Sequence, residues 1–289
     1  PPVRFDGATL FVQDTGKVVR ELLWNDLQDA YTADPISLVS NDMITDVQQM
    51  SVFYGSSTGP EQWTVVVNSD GTIAIYHSVR SEKIAAWFPW STTGTWESVT
   101  ELNGVVYCSA KRNINSSDVY YLEQFDFNYT TDASADLTLA SGKTWNGLTH
   151  LNTETVSVVA GNLFHGNYTV SGNQVTLDET ATSPKAGLDY TRSIKDMPVV
   201  IAGPTGSTAG EMKRVGQVVL RVFDSVNFSV SGQEFLIRQV DDDLSADPTP
   251  VDGQHIFFLS GWNRTGQVTI TQSAPLPFTL LSIWKEVLT

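Results

Sequence analysis

Apolar residues along this chain recur at every second position or in short unbroken runs, and scarcely ever at the spacing of an amphipathic helix. Alternating or β-branched runs predict strands over residues 9–13, 18–24, 63–68, 72–78, 83–89, 96–102, 105–111 and 119–125. Further strands are predicted at 155–160, 167–170, 174–177, 197–202, 214–224, 235–240, 256–260 and 267–271, with a docked strand at the C-terminal end. Only two short helical turns are predicted, around 26–31 and over 36–41 after Pro35.

Turn chemistry separates the runs. Val65, Val66 and Val67 lead into Asn68-Ser69-Asp70-Gly71, where Asp-Gly supplies the positive-φ positions of a tight hairpin, and Asn103-Gly104 supplies another. The strands flanking these two turns make four short antiparallel strands with hairpin links, the rhythm of a propeller blade; a plain meander or sandwich is the alternative. Beyond Asn128 the stretch YTTDASADLTLASGKT is polar and small, and reads as a linker or exposed loop. Three short strands with Gly-containing turns follow and suit a small barrel, with a further boundary near Pro184. The expected fold is therefore all-β: propeller-type blades over 1–127, linker and small β-barrel over 128–184, and a β-sandwich platform over 185–289.

Composition narrows the function classes. With 41% apolar and 10% aromatic residues the chain supplies a sizeable core, which excludes a disordered protein. Its 32 Asp and Glu against 17 Lys and Arg leave a net charge of −15, which repels polyanions and forgoes the counterion release that drives DNA binding. The single Cys108 sits in an apolar alternating run and reads as a buried core residue. No apolar run is long enough to cross a membrane as a helix, and no membrane insertion is expected. The N-terminus, PPVRFDG, has neither an initiator Met nor a signal-peptide pattern, as in a chain that begins mid-protein.

Candidate chemistry is sparse. GSSTG at 55–59 matches the nucleophile-elbow pattern around Ser57, but a strand-like segment follows where the elbow needs a helix. GPTGSTAGE at 203–211 lacks the Gly-Lys-Ser/Thr ending of a phosphate loop. His77, His150, His165 and His255 show no metal-ligand spacing, and no cofactor is expected. Asp241, Asp242, Asp243, Asp247 and Asp252 can bind calcium in principle, yet lack the ordered ladder of a calcium loop; a solvated, interface or lumen-lining loop is the reading. Sialidase-type boxes are approached only by STTGTW at 91–96, which lacks the Asp, so no enzymatic activity is expected. Trp24, Trp63, Trp87 and Trp96 lie in strand patterns, where core filling is the default against a sugar-stacking groove.

Four stretches, in order along the chain, carry a resemblance. They are TLFVQDTGKVVRELLWNDLQDAYTADPISLVS at 9–40, WTVVVNSDGTIAIY with EKIAAWFPW at 63–90, YTVSGNQVTLDE with GLDYTRSIKDMPV at 168–199, and PLPFTLLSIWKEV at 275–287. Together they resemble the nozzle or tail tubular protein B family of short-tailed bacteriophages, related to tail hub and packaged-DNA stabilisation proteins. The resemblance implies a virion tail protein made in the bacterial cytoplasm, a homo-oligomer forming a hexameric ring, and a lumen through which genome DNA passes without specific binding. It implies tail adaptor and tail fibre proteins as partners, and no catalytic residues. Family members are longer at the N-terminus, so the blades here are expected to be the later part of a propeller. The alternative is a host-recognition β protein that binds or cleaves surface carbohydrate.

Overall fold

The computed structural model describes residues 1–55, 62–203, 206–238, 241–243 and 246–288. Among them it forms twenty-seven strands and three short 3-10 turns, nearly all of it antiparallel sheet. The chain divides into two compact units, Pro1–Asn128 and Tyr129–Thr289.

The first unit is a run of meanders. β1 (Val3–Phe5), β2 (Ala8–Val12), β3 (Val19–Asn25) and β4 (Ala30–Pro35) form one sheet in chain order. β5 (Val47–Phe53), β6 (Trp63–Asn68), β7 (Ile73–Val79) and β8 (Ile84–Trp90) form the second. β9 (Thr95–Leu102), β10 (Val105–Ile114) and β11 (Ser117–Gln124) form a third, of three strands. The first strands of successive sheets are neighbours, β1 beside β5 and β5 beside β9.

The middle sheet explains the unbroken VVV and IAIY runs. Val65, Val67, Ile73 and Ile75 share a core with Trp96, Val99, Val106, Cys108 and Ala110 of the third sheet. Val66, Ala74 and Tyr76, on the opposite face, share another with Phe5, Leu10 and Val19 of the first. A sheet buried on both faces has no polar side to alternate with. Each fully buried Val, Ile or Leu contributes about 1.5–3 kcal/mol relative to exposure.

Polar contacts fix the stacking. The Arg80 backbone N–H donates to Asp6 Oδ2 at 3.1 Å, its Nε to the Asp6 carbonyl at 2.7 Å, and its guanidinium pairs with Glu21, which ties the second sheet to the first. On β5, Gln49 Nε2 donates to the Val99 carbonyl at 2.6 Å while its Oε1 accepts from the Val99 N–H at 3.1 Å, bridging to β9.

The second unit begins with β12 (Asp132–Asp136), β13 (Thr138–Ser141), β14 (Thr144–Asn146), β15 (Thr155–Ala160), β16 (Leu163–Thr169), β17 (Gln174–Thr176) and β18 (Lys185–Leu188). They make two sheets, ordered β12-β18-β15-β16 and β13-β14-β17. Next come β19 (Arg192–Lys195), the two-residue pair β20 (Ala202–Gly203) and β21 (Gly206–Ser207), and the long β22 (Arg214–Ser225). β23 (Ser229–Val230), β24 (Gln233–Glu234), β25 (Val251–Phe258), β26 (Thr269–Gln272) and β27 (Thr279–Leu288) complete it. The sheets β25-β22-β27 and β19-β26-β23-β24 share one core, in which Val218, Leu220 and Phe257 meet Val230 and Ile270. Among the described residues no sheet closes on itself.

Several local expectations are corrected. Residues 26–29 are the turn from β3 to β4 and 30–31 open β4, with no helix, because Asn25 Oδ1 accepts from the N–H groups of Leu27 and Gln28 and stops the strand. The turn after Pro35 is a 3-10 helix at Leu38–Met43. At Asp70-Gly71 only the glycine has positive φ, whereas Asn103 and Gly104 both do, as a type I′ turn requires. The polar stretch after Asn128 is not a linker: β12 and β13 run through it, paired to β18 and β14. Residues 197–201 are not strand, since Pro198 lacks a donor and Met197 is 81% exposed. Phe235 to Arg238 is not strand either: Phe235 stacks on Phe228 and the Arg238 guanidinium bonds the carbonyls of Asp243 and Ala246.

Candidate functional site

The five aspartates singled out in the sequence do not converge. Asp241, Asp242 and Asp243 are exposed. Asp247 Oδ2 accepts from the Asn162 N–H at 3.4 Å, in the turn between β15 and β16, and Asn162 Nδ2 donates to the Pro248 carbonyl. Asp252 lies in β25, where its Oδ1 accepts from the Asp224 N–H at 2.8 Å beside a register shift of β22. The segment is thus stitched to two different sheets by carboxylates that act as loop ties. Among the described residues no group of three His, Cys, Asp or Glu comes close enough to hold a metal.

The histidines are dispersed. His77 Nδ1 lies 3.0 Å from the Gln62 carbonyl, His150 Nε2 lies 2.8 Å from the Ala133 carbonyl, and the His255 ring packs edge-on against Phe235. Cys108 is buried in the core between the second and third sheets. Ser57 of the elbow-like GSSTG lies outside the described residues. In the glycine-rich stretch 203–211, Gly206 and Ser207 pair with Gly203 and Ala202 as a short hairpin. The stretch is pinned by Lys213, whose fully buried Nζ donates to the carbonyls of Thr208, Glu211 and Arg264.

A concavity in the first unit brings together residues from three connections. They are the β4–β5 connection with Asp42, Met43 and Thr45, the β6–β7 turn with Asp70 to Thr72, and the β8–β9 connection with Ser91, Thr92 and Gly94. The side chains of Ile73, Pro89, Trp90 and Trp96 complete a cavity of about 370 Å³. Its walls are built into the fold. Asn68, 2% exposed, accepts the Thr45 N–H on Oδ1 and donates through Nδ2 to the Met43 carbonyl and Thr72 Oγ1. A Cβ at Gly94 would collide with the Lys111 carbonyl oxygen, and one at Gly71 with the Thr95 side chain, so Gly94 lets backbone approach backbone and Gly71 lets the Thr95 side chain pack on its turn.

Two polar groups stand out there. Asp70 Oδ1 accepts from Thr72 Oγ1 at 2.6 Å and from the Thr72 N–H at 3.0 Å, which holds its carboxyl below the ordinary value. Trp96 is buried, and its indole N–H, itself sealed from solvent, has no hydrogen-bond partner among the described residues. The sequence reads 91–96 as an imperfect sialidase-type box and Trp96 as a core residue of a strand, and Trp96 is indeed buried in β9. Asp42 and Asp70 carried no signal that could have placed them beside it, since their proximity depends on how the sheets stack. The chain matches no protein-family model and no curated protein.

Proposed function

We propose that this chain is a structural component of a short-tailed bacteriophage tail, of the nozzle or tail tubular protein B kind. Its three stacked meanders are read as consecutive blades of a propeller. The observation that carries this is the repetition in the first unit: meander follows meander, first strand lies beside first strand, and each shared face is an apolar core. Such a unit extends by adding another sheet of the same kind. The second unit supplies the barrel-like and sandwich platform parts of the same reading.

In the assembled tail the subunits form a hexameric ring with adaptor and fibre proteins around it, and the genome leaves through the lumen. The acidic balance supports a conduit. Carboxylates along a wall repel phosphates, which limits sticking and lets DNA move. Cryo-electron microscopy of the complete open reading frame is the test. Rings with an acidic lumen are expected. A strongly basic channel would overturn the conduit, and sustained release of reducing ends from host polysaccharide would overturn the non-enzymatic role.

A further inference from the structure

We infer that the open edge of β11 is a surface through which two copies of this chain pair, antiparallel and about a two-fold axis at Tyr121, so that their three-stranded third sheets join into one. The inference goes beyond the ring reading and does not rest on it, since a two-fold contact joins copies in pairs and cannot by itself build a six-fold ring. The first and second sheets each have a fourth strand, with β4 covering β3 and β8 covering β7. Among the described residues the third sheet stops at its third strand, β11.

Backbone alternation shows which groups are left open. The Phe125 N–H donates to the Val106 carbonyl at 2.9 Å, in the register that pairs Tyr107 with Gln124. Counting back from that bond, Glu123, Tyr121 and Val119 turn their N–H and C=O groups toward β10, while Asp118, Tyr120, Leu122 and Gln124 turn theirs away. Those outward backbone groups have no hydrogen-bond partner among the described residues. Other edge strands carry devices against strand addition: β4 ends at Pro35, β8 holds Pro89, and β25 and β27 are broken by register shifts. β11, SDVYYLEQ, holds no Pro, Gly or Lys and pairs with β10 over eight residues without a shift. Tyr120 and Leu122, on the side of the sheet turned away from the core it shares with the second sheet, are 63% and 80% exposed.

The strand is its own complement, and this selects a second copy as the occupant. Only outward-turned residues can exchange bonds, so an antiparallel β11–β11 pair must set even-numbered positions opposite even-numbered ones. With Tyr121 on the axis, Asp118 faces Gln124 of the second copy and Tyr120 faces its Leu122, so every open residue on both strands is used. The exposed face then gains an aromatic–aliphatic pair in each direction, and no like charges stand opposite one another. Moving the axis to Tyr120 sets Asp118 against Leu122 twice, and moving it to Leu122 leaves Asp118 beyond the overlap. Glu123, opposite Val119, brings no uncompensated charge, because Arg112 already bonds both its oxygens. A strand of another sequence would have to supply apolar residues opposite Tyr120 and Leu122; this chain supplies them with the same two residues. Pairing consumes the edge on both copies, so association stops at two.

Sedimentation equilibrium of the whole chain between about 1 µM and about 1 mM tests this. One strand pair falls short of the roughly 1,200–2,000 Å² of a stable interface, so a monomer–dimer equilibrium with Kd on the order of 100 µM is expected. Leu122→Pro removes an outward N–H that β10 does not use, and Leu122→Lys sets a charge at the exposed edge; each is expected to weaken the dimer about tenfold or more, with circular dichroism unchanged. For the register, mild oxidation of a mixture of Tyr120→Cys and Leu122→Cys chains is expected to cross-link more than either chain alone, while Cys108 stays buried. A monomer over the whole concentration range overturns the pairing and leaves the edge to a strand of another protein. Cross-linking no greater in the mixture overturns the register and with it the self-complementary edge. Six-fold association that neither Leu122 variant weakens would overturn the pairing and leave the ring standing, so the two readings fail separately.

Discussion

Arg112 is the residue whose environment is most demanding. Its side chain is 1% exposed, and Glu123 meets it with two oxygens, at 2.8 Å from Nε and 2.7 Å from Nη2, while the Thr93 carbonyl takes Nη1. Removing one partner of such a pair leaves a buried charge uncompensated, at a cost of about 3–5 kcal/mol. Glu123→Ala is therefore expected to lower the free energy of unfolding measured in urea by that amount, and a double change to Arg112→Met with Glu123→Leu to recover much of it. Equal losses in both variants would show that the pair acts through packing alone. Asp70 is the contrasting case, exposed and held by Thr72. Its folded pKa lies below the ordinary 3.8, so its contribution is complete above that value and is lost as pH falls through the lower folded one. Asp70→Asn is expected to reduce the acid-side loss of stability. An unchanged slope of stability against pH in that region would refute the assignment.

At the scale of elements, the glycines in the connections separate two kinds of cost. Gly142, in the turn between β13 and β14, has φ +56° and open space around a would-be Cβ. Gly142→Ala is expected to cost only the left-handed backbone penalty, about 1–2 kcal/mol. Gly94 has φ +134°, a region kept to glycine, and a Cβ there strikes the Lys111 carbonyl oxygen as well. Gly94→Ala is expected to cost clearly more than Gly142→Ala in paired denaturation curves; the reverse order would mean that the β8–β9 connection yields without loss. The same elements show what the sequence could reveal. β6, β7, β9 and β10 were legible because they are buried on at least one face, which forces an apolar run or alternation onto them. β4, AYTADP, is exposed along nearly all its length, and β5, VQQMSVF, spends Gln49 on the bridge to Val99, so neither carried a clean period. β12 and β13 hold small polar residues and are strands because β18 and β14 pair with them, a tertiary fact. Missing β5 also misgrouped the strands, since the second four-stranded meander begins at Val47 and ends at Trp90. The cavity was out of reach for a related reason, since it gathers residues from three connections up to about fifty positions apart.

At the scale of the whole molecule, each of the two units carries its own core. Phe5, Val66 and Tyr76, and Val65, Ile75 and Cys108, lie in two clusters of the first. Val218, Phe228 and Ile270, and Val159 with Leu276, centre those of the second. A unit of domain size with its own core unfolds as a cooperative block, and a chain of two such blocks departs from two-state behaviour. Scanning calorimetry is expected to resolve two transitions, with a total calorimetric enthalpy larger than the van't Hoff value of either. Substitutions identify them. Glu123→Ala acts in the first unit. Lys213→Met acts in the second, where it strips the carbonyls of Thr208, Glu211 and Arg264 of their shared donor, at about 1–3 kcal/mol for each group left unsatisfied. Each variant is expected to lower one transition and leave the other in place, and the double variant to show both losses added, as distant sites do. A single transition that either substitution moves in full would mean that the units fold as one block, and the separation at Asn128 would then have no thermodynamic meaning.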